Sequence, residues 1–361
     1  MATHLLLPPG HLIALLRYPE GYPESGQPWW DFVEERGPMD RRPHGGHEDY
    51  ADIHFTGTRC FELRGGPHRS QRAIFRLDDH VGSDYLEGDQ QGRLAKGWMT
   101  ATPWIPRAIT WSSLRQAIKE LVARNEWFDY IRLTVAGGGD VGVYDPGQPP
   151  RVHIRTRSFD PEKRPYYPAE VMQRGLVAML TNERRGFPSP RTMAKLAANY
   201  VASNACEHEA RTRGFDTGIL LSWDGEHLSE FSVMNLGLIE DETLVTPDDS
   251  AAPLRGITMM TVGTIAEEIH GWRLRREPIT LERLCQARAI FGTGSANGLL
   301  KVRGVVDADR RTRWELTDRQ AEGMLDTLAN DVWRAMYGQL AGFHPEWHTI
   351  VPTPQPEPAG V

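Results

Sequence analysis

Only five lysines occur in the chain, Lys96, Lys119, Lys163, Lys195 and Lys301, so a reaction that needs a primary amine has few candidates. Lys195 follows a proline-bearing loop and precedes an apolar, helix-forming stretch. Partial desolvation there lowers the pKa of an amine and favours its nucleophilic form, although a surface lysine at a helix start has the same surroundings in sequence. Tyr130 and Arg132 lie two apart and share one face of a strand, which by spacing alone can simply meet solvent. His44 and His47 in HGGH lack a third ligand at a recognised spacing, so no metal is assigned. Cys60, Cys206 and Cys285 are odd in number, far apart and in no CxxC pattern, which excludes a disulfide framework or a thiolate zinc site. The run Gly137-Gly138-Gly139-Asp140 reads as a wide turn, because a lone glycine run is weak evidence for phosphate binding.

The elements that must position these groups follow from periodicity. A length of 361 residues suits two domains, and 40% apolar with 25% charged residues is the composition of an ordinary globular protein. The net charge of −7 argues against nucleic acid as the principal partner. No apolar run approaches the roughly 20 residues that span a bilayer. The opening Leu5-Leu6-Leu7-Pro8-Pro9 lacks a basic flank, so a cytoplasmic location is expected. Residues 1–50 read as an irregular extension. A smaller domain over 51–157 holds strands between Ile53 and Arg76, a helix over 112–125 and a strand over 130–135. FDPEKRPYYP marks a linker at 158–168.

A larger domain over 169–345 follows. Its strands are expected at 175–182, 218–223 (ending at the Asp224-Gly225 turn), 235–239 and 244–245. A loop from 192 leads into a helix ending near 213, and further helices cover 258–270 and 281–289. The one over 281–289 is capped by Thr280, and a last helix capped by Thr317 carries the apolar stripe Ala321, Met324, Leu325, Leu328, Val332 and Met336. The Pro-rich tail, 346–361, is expected to be disordered. Together these elements predict a mixed α/β protein.

The segment MAKLAANYVASNACEHEA, 193–210, resembles the lysine segment of the class IV aminotransferases, which include the branched-chain and D-amino-acid aminotransferases. Lys195, Asn199 and Tyr200 occupy the corresponding places. GILLSWDGEHLSEFSVMN, 218–235, is similar to the family's strand, turn and glutamate segment, with Glu230 and Asn235 at its glutamate and asparagine. LVTPDDSAAPLRGIT, 244–258, resembles the Thr-Pro strand end and Gly-Ile-Thr phosphate loop, and FGTGSA, 291–296, the second phosphate loop. FRLDDH, 75–80, together with Tyr130-Ile131-Arg132 and Gly139-Asp140-Val141-Gly142, resembles parts of the smaller domain. The ordered set covers roughly 50–340.

The resemblance implies a fold-type IV enzyme: two domains with pyridoxal 5'-phosphate between them, a homodimer, and amino transfer between an amino acid or related amine and a keto acid. Lys195 would be the Schiff-base lysine and proton carrier. Glu230 would face the pyridine nitrogen, and Tyr200 would bind the phenolic or a phosphate oxygen, unless it is a helix-face aromatic in the core. Asn235 would also belong to the cofactor site. Ile257 and Thr258 at a helix start, with Ser295 in a glycine turn, would hold the phosphate. Tyr130, Arg132 and Ala296 would line the substrate pocket.

Some positions depart from the family. Ser83 stands where a phosphate-gripping arginine is usual, Met259 replaces an arginine after Gly-Ile-Thr, and Phe231, Val233 and Met234 replace small residues. These departures favour a specialised substrate, as in secondary metabolism. The alternatives are a lyase of the aminodeoxychorismate-lyase type on the same fold, a cofactor-free relative motivated by Ser83 and Met259 and, outside the resemblance, a plain α/β binding protein.

Overall fold

The computed structural model describes residues 11–18, 26–34, 53–82, 92–103, 109–125, 128–137, 149–157 and 167–352. Ser83, the glycine run beyond 137, HGGH and linker residues 158–166 lie outside them. The chain divides into two compact units. One comprises Met1–Leu63, Pro67–Ser158 and His344–Val361, the other Arg64–Gly66 and Phe159–Phe343.

The first unit contains strands β1 (Leu12–Arg17), β2 (Trp29–Glu34), β3 (Ile53–Glu62), β4 (Arg72–Phe75), β5 (Tyr130–Ala136) and β6 (Arg151–Arg157). Its helices are α1 (Leu77–Val81), α2 (Arg93–Ala101) and α3 (Trp111–Arg124). The inward residues of β5 and β6, Ile131, Leu133, Val135, Val152 and Ile154, share one core with Trp98 of α2 and Leu114, Ile118 and Leu121 of α3. Each fully buried aliphatic side chain stabilises the unit by about 1.5–3 kcal/mol. Strand alternation therefore turns Tyr130, Arg132, Arg155 and Arg157 to the opposite face. Thr110, accepting from Ser113 N, caps α3 two residues ahead of Ser112, the first of the serines expected to open it.

In the second unit come α4 (Ala169–Arg174), β7 (Leu176–Arg184), α5 (Tyr200–Thr212), β8 (Thr217–Leu221), β9 (Leu228–Phe231), β10 (Asn235–Glu240) and β11 (Thr243–Thr246). They are followed by α6 (Ile257–His270), β12 (Arg273–Arg276), α7 (Leu281–Gln286), β13 (Ala289–Gly294), β14 (Gly298–Val306), β15 (Thr312–Glu315) and α8 (Arg319–Met336). The sheet runs β12-β11-β10-β13-β14-β7-β8-β9, with β15 on β14, and β9 pairs again with β10 through Glu230 and Asn235. That pairing closes β10, β13, β14, β7, β8 and β9 into a ring, so their inward side chains fill one interior.

β16 (His348–Ile350) returns to the first sheet, whose order is β16-β4-β3-β5-β6-β1-β2.

Four expectations change. Within 1–50, the described parts form β1 and β2, because the continuous apolar run Leu12–Leu16 pairs on both edges and buries Ile13, Ala14 and Leu16. The tail expected to be disordered from 346 begins with β16, which pairs with β4 and carries Trp347 into contact with Phe75. Asp318, not Thr317, caps α8, since its carboxylate accepts from Gln320 N and Ala321 N. The helix after Thr280 ends at Gln286, because Ala289 already pairs in β13. Thr280 does cap that helix, accepting from Arg283 N, and Gly225, at φ 84°, supplies the left-handed residue of the turn after β8.

Candidate active site

Lys195 sits at the end of a turn-rich loop joining β7 to α5, and its loop is held largely by side chains. The Asn199 amide donates to the carbonyls of Arg191 (2.8 Å), Thr192 (3.2 Å) and Ala194 (2.8 Å). Buried Arg185 donates from Nη2 to Thr192 O at 2.5 Å, and Thr192 Oγ donates to Phe187 O at 2.7 Å. With that backbone pinned, half-buried Lys195 places Nζ 2.5 Å from Tyr200 Oη and 5.1 Å from the centre of the same ring. Tyr200 is thus a polar partner of the lysine, whereas Ser203, Cys206 and Ala210 form the buried face of α5.

Glu230, Asn235 and Thr293 form a cross-strand row on β9, β10 and β13 at the seam where the ring closes. Glu230 is 7% exposed. Its Oε2 accepts from Asn235 Nδ2 at 3.1 Å and from Leu254 N at 3.2 Å, and its Oε1 lies 3.5 Å from Arg185 Nε. The carboxylate is therefore charge-compensated and held by donors on three sides. Asn235 also donates to Leu254 O at 2.5 Å. Its Oδ1 lies where a Cβ on Gly256 would be, at 1.7 Å, so only glycine lets the chain pass into α6.

Ile257, Thr258 and Met259 are buried in the first turn of α6, whose N-cap glycine offers no side-chain acceptor. Their backbone N–H groups keep the polarity that favours an anion. On the neighbouring hairpin, Asn297 N donates to Gly294 O at 3.0 Å, leaving Ser295 and Ala296 half-buried at the tip. Thr293, 1% exposed, has an Oγ1 with no hydrogen-bond partner among the described residues. Met234 packs over Gly292 because that residue has no side chain; a Cβ there would meet its thioether at 3.1–3.2 Å.

The structure therefore joins Lys195 to Tyr200 and Glu230 to Asn235, and sets Gly256, immediately before Ile257 and Thr258, against Asn235. In the first unit, Tyr130 and Arg132 are neighbours on one sheet face, with Arg132 Cζ 5.6 Å from the Tyr130 ring. Sequence reasoning missed Arg185, which touches both the Lys195 loop and Glu230. The doublet Arg184-Arg185 was its only signal, and nothing in it separates exposed Arg184, bound to Trp223 O and Asp224 O, from buried Arg185.

Residues 72–305 match the model of the class IV amino-transferase family, and the chain belongs to that family. It is an aminotransferase of the pyridoxal-phosphate-dependent type. The branched-chain-amino-acid aminotransferase of Escherichia coli strain K12 is 28% identical over 260 residues, 71% of this chain and 77% of that protein. A crystal structure of an E. coli branched-chain amino acid aminotransferase has a TM-score of 0.72 at 25% identity, covering 89% of this chain and 97% of the other. The fold is also that of the branched-chain amino acid aminotransferase from Thermobaculum terrenum in its PLP form, with a TM-score of 0.71 at 18% identity over 95% and 98% of the two chains. Among the described residues, no helix is long and apolar enough to cross a membrane.

Proposed function

We propose that Lys195 carries the cofactor and moves the substrate proton, in an enzyme that transfers an amino group between a specialised amino acid, or related amine, and a keto acid. The observation that carries this reading is the Lys195–Tyr200 hydrogen bond at the end of a side-chain-pinned loop. Pyridoxal 5'-phosphate fits the donor set: an amine beside a phenol, a buried paired carboxylate, an uncapped helix start, and the buried Thr293 hydroxyl without a partner. When bound, it supplies an electron sink for negative charge at the substrate's Cα.

Tyr200 holds the Lys195 amine in position and offers a phenol to the cofactor's phenolic or phosphate oxygens. Glu230 presents a carboxylate to the pyridine nitrogen and favours its protonated form, while Asn235 and Arg185 keep that carboxylate oriented. The first-turn N–H groups at Ile257 and Thr258, with Ser295, receive the phosphate. Tyr130, Arg132 and Ala296 bind the substrate. Lys195 would be the residue that accepts the proton lost from the substrate's Cα and later gives it back, acting as base and then acid.

A homodimer in a reducing cytoplasm completes the proposal. It is supported by the exposed aromatic pair Phe187 and Trp223, 5.1 Å apart, and by three free cysteines.

The test is an absorption spectrum of the purified protein with pyridoxal 5'-phosphate, then borohydride reduction and mass spectrometry of the Lys195 peptide. A visible band that becomes a covalent adduct on Lys195, and is absent in Lys195→Ala, is expected. An adduct on another lysine, or no band with excess cofactor, rejects the assignment.

A further inference from the structure

Helix α5 and the turn between β9 and β10 each follow directly from a residue of the proposed site, and a carboxylate that the chemistry does not use joins them. Tyr200, Ser203, Glu207 and Ala210 recur at i, i+3, i+7 and i+10 and share one face of α5, with Glu207 about 10 Å along the axis from Tyr200. Ser232 follows Glu230 and Phe231 and opens the turn that leads to Asn235. Its Oγ donates to Oε2 of half-buried Glu207, and Thr217 Oγ1, at the start of β8, donates to the same oxygen at 3.0 Å. Arg211 Nε donates to Oε1 at 2.7 Å.

Both hydroxyls are buried, so neither can turn to water instead, and a charged acceptor makes each bond stronger than a neutral one would. Ser232 N also donates to Gly218 O at 3.0 Å, which fixes the backbone of the turn on β8 while the side chain fixes it on α5. The two hydroxyls are 2.9 Å apart, so two protons serve three contacts and compete for them. Removal of the Thr217 hydroxyl therefore leaves Ser232 on the carboxylate. Removal of the Ser232 hydroxyl parts the turn from Glu207, and Thr217 then only joins β8 to the helix that precedes it.

At the other end of the same two segments, Arg185 bonds Thr192 O of the lysine loop and lies 3.5 Å from Glu230 Oε1. One tie lets a helix pivot about it, whereas two ties fix its direction. We propose that Glu207 and Ser232 are positioning residues that register the helix bearing Tyr200 against the strand bearing Glu230, so that the Lys195 amine and the Glu230 carboxylate keep one separation. This rests on the reading of Lys195 as the cofactor's amine and of Glu230 as the partner of its ring nitrogen. Neither positioning residue touches a reacting atom; Ser232 acts through Glu230, two residues away along β9.

The experiment uses the holoenzyme and the variants Ser232→Ala, Glu207→Gln and Thr217→Val, with Glu230→Gln as a second background. One readout is the single-turnover rate at which L-leucine or L-glutamate bleaches the cofactor band. The other is hydrogen exchange at the Leu254 amide, which donates to Glu230 Oε2 at 3.2 Å and so reports where that carboxylate stands. Ser232→Ala is expected to slow bleaching and to speed Leu254 exchange by about tenfold each, the worth of one hydrogen bond to a charged group. Glu207→Gln, which keeps the shape of the side chain, should give a smaller change of the same kind. Thr217→Val should leave both rates near wild type, although its unfolding midpoint falls as far as that of Ser232→Ala. In the Glu230→Gln background, Ser232→Ala should slow bleaching no further, because residues that act through one group are not additive. Equal slowing by Thr217→Val, or a full tenfold added to the effect of Glu230→Gln, would make Ser232 a contact of the fold alone and overturn the proposal. If no band forms, or if Glu230→Gln by itself leaves bleaching unchanged, the cofactor reading is what fails. Leu254 exchange in the full chain without cofactor then still decides the tie, and an unchanged rate in Ser232→Ala overturns it.

Discussion

Asn199 touches no reacting group in the proposed chemistry, yet three carbonyls of the Lys195 loop depend on its amide. Asn199→Ala leaves those carbonyls to find water, which costs about 1–3 kcal/mol and loosens the lysine. Thermal unfolding should show the loss, and the reduced adduct on Lys195 should form more slowly. Glu230→Gln keeps the shape of the side chain but removes its charge. It is expected to lower kcat by roughly a hundredfold while the adduct still forms, because an electrostatic partner is lost and the amine is not. An unchanged kcat would remove Glu230 from the ring-nitrogen role. The thiols separate in the same way. Burial pushes Cys60 up to about 11 and Cys206 up to about 12, whereas Cys285 is half-buried. Iodoacetamide at neutral pH should therefore label Cys285 in the folded chain and spare the other two until denaturant is added.

Helix ends and strand seams decide where those residues stand. Asp318 caps α8 and also pairs with Arg288 at 2.8 Å, so Asp318→Ala should cost about 1 kcal/mol in denaturant unfolding, and Thr317→Ala almost nothing. The reverse order would return the cap to the position read from sequence. Gly218 on β8 lets α5 approach closely; a Cβ there would lie 2.4 Å from Cys206 Sγ and 2.8 Å from the Cys206 carbonyl. Because a backbone atom is involved, Gly218→Ala should cost about 1–3 kcal/mol or more, measured as a lower unfolding midpoint. The cap at Thr280 and the helical period of the 258–270 stretch were legible in sequence because both are local. The pairing of β9 with β10 was not, since one backbone contact between Glu230 and Asn235 closes a ring that involves strands up to about 130 residues apart.

Across the molecule, the first unit carries a pH dependence of its own. His54 is buried against Thr102, Nε2 to Oγ at 2.6 Å, and desolvation lowers its pKa from 6.5 to about 4. Unfolded chain takes up a proton near pH 6.5 that the folded unit refuses. Stability is therefore fully present above that pH and falls as the pH drops towards 4, by up to about 3 kcal/mol. Urea titrations between pH 7 and 4 should show this slope, and His54→Gln should flatten it. An equal slope in both proteins would place the acid sensitivity elsewhere. By itself the sequence determined the family and most element types, and it supplied Lys195 and Glu230 as the proposed amine and carboxylate, because these depend on residue identity and on neighbours within a few turns of chain. Only the tertiary structure chose Arg185 over Arg184 as the link between the Lys195 loop and Glu230, carried β16 back to the first sheet, and set Arg155 opposite Arg132. Each depends on register or burial between segments distant in sequence, where a one-residue slip reverses which side chain faces inward.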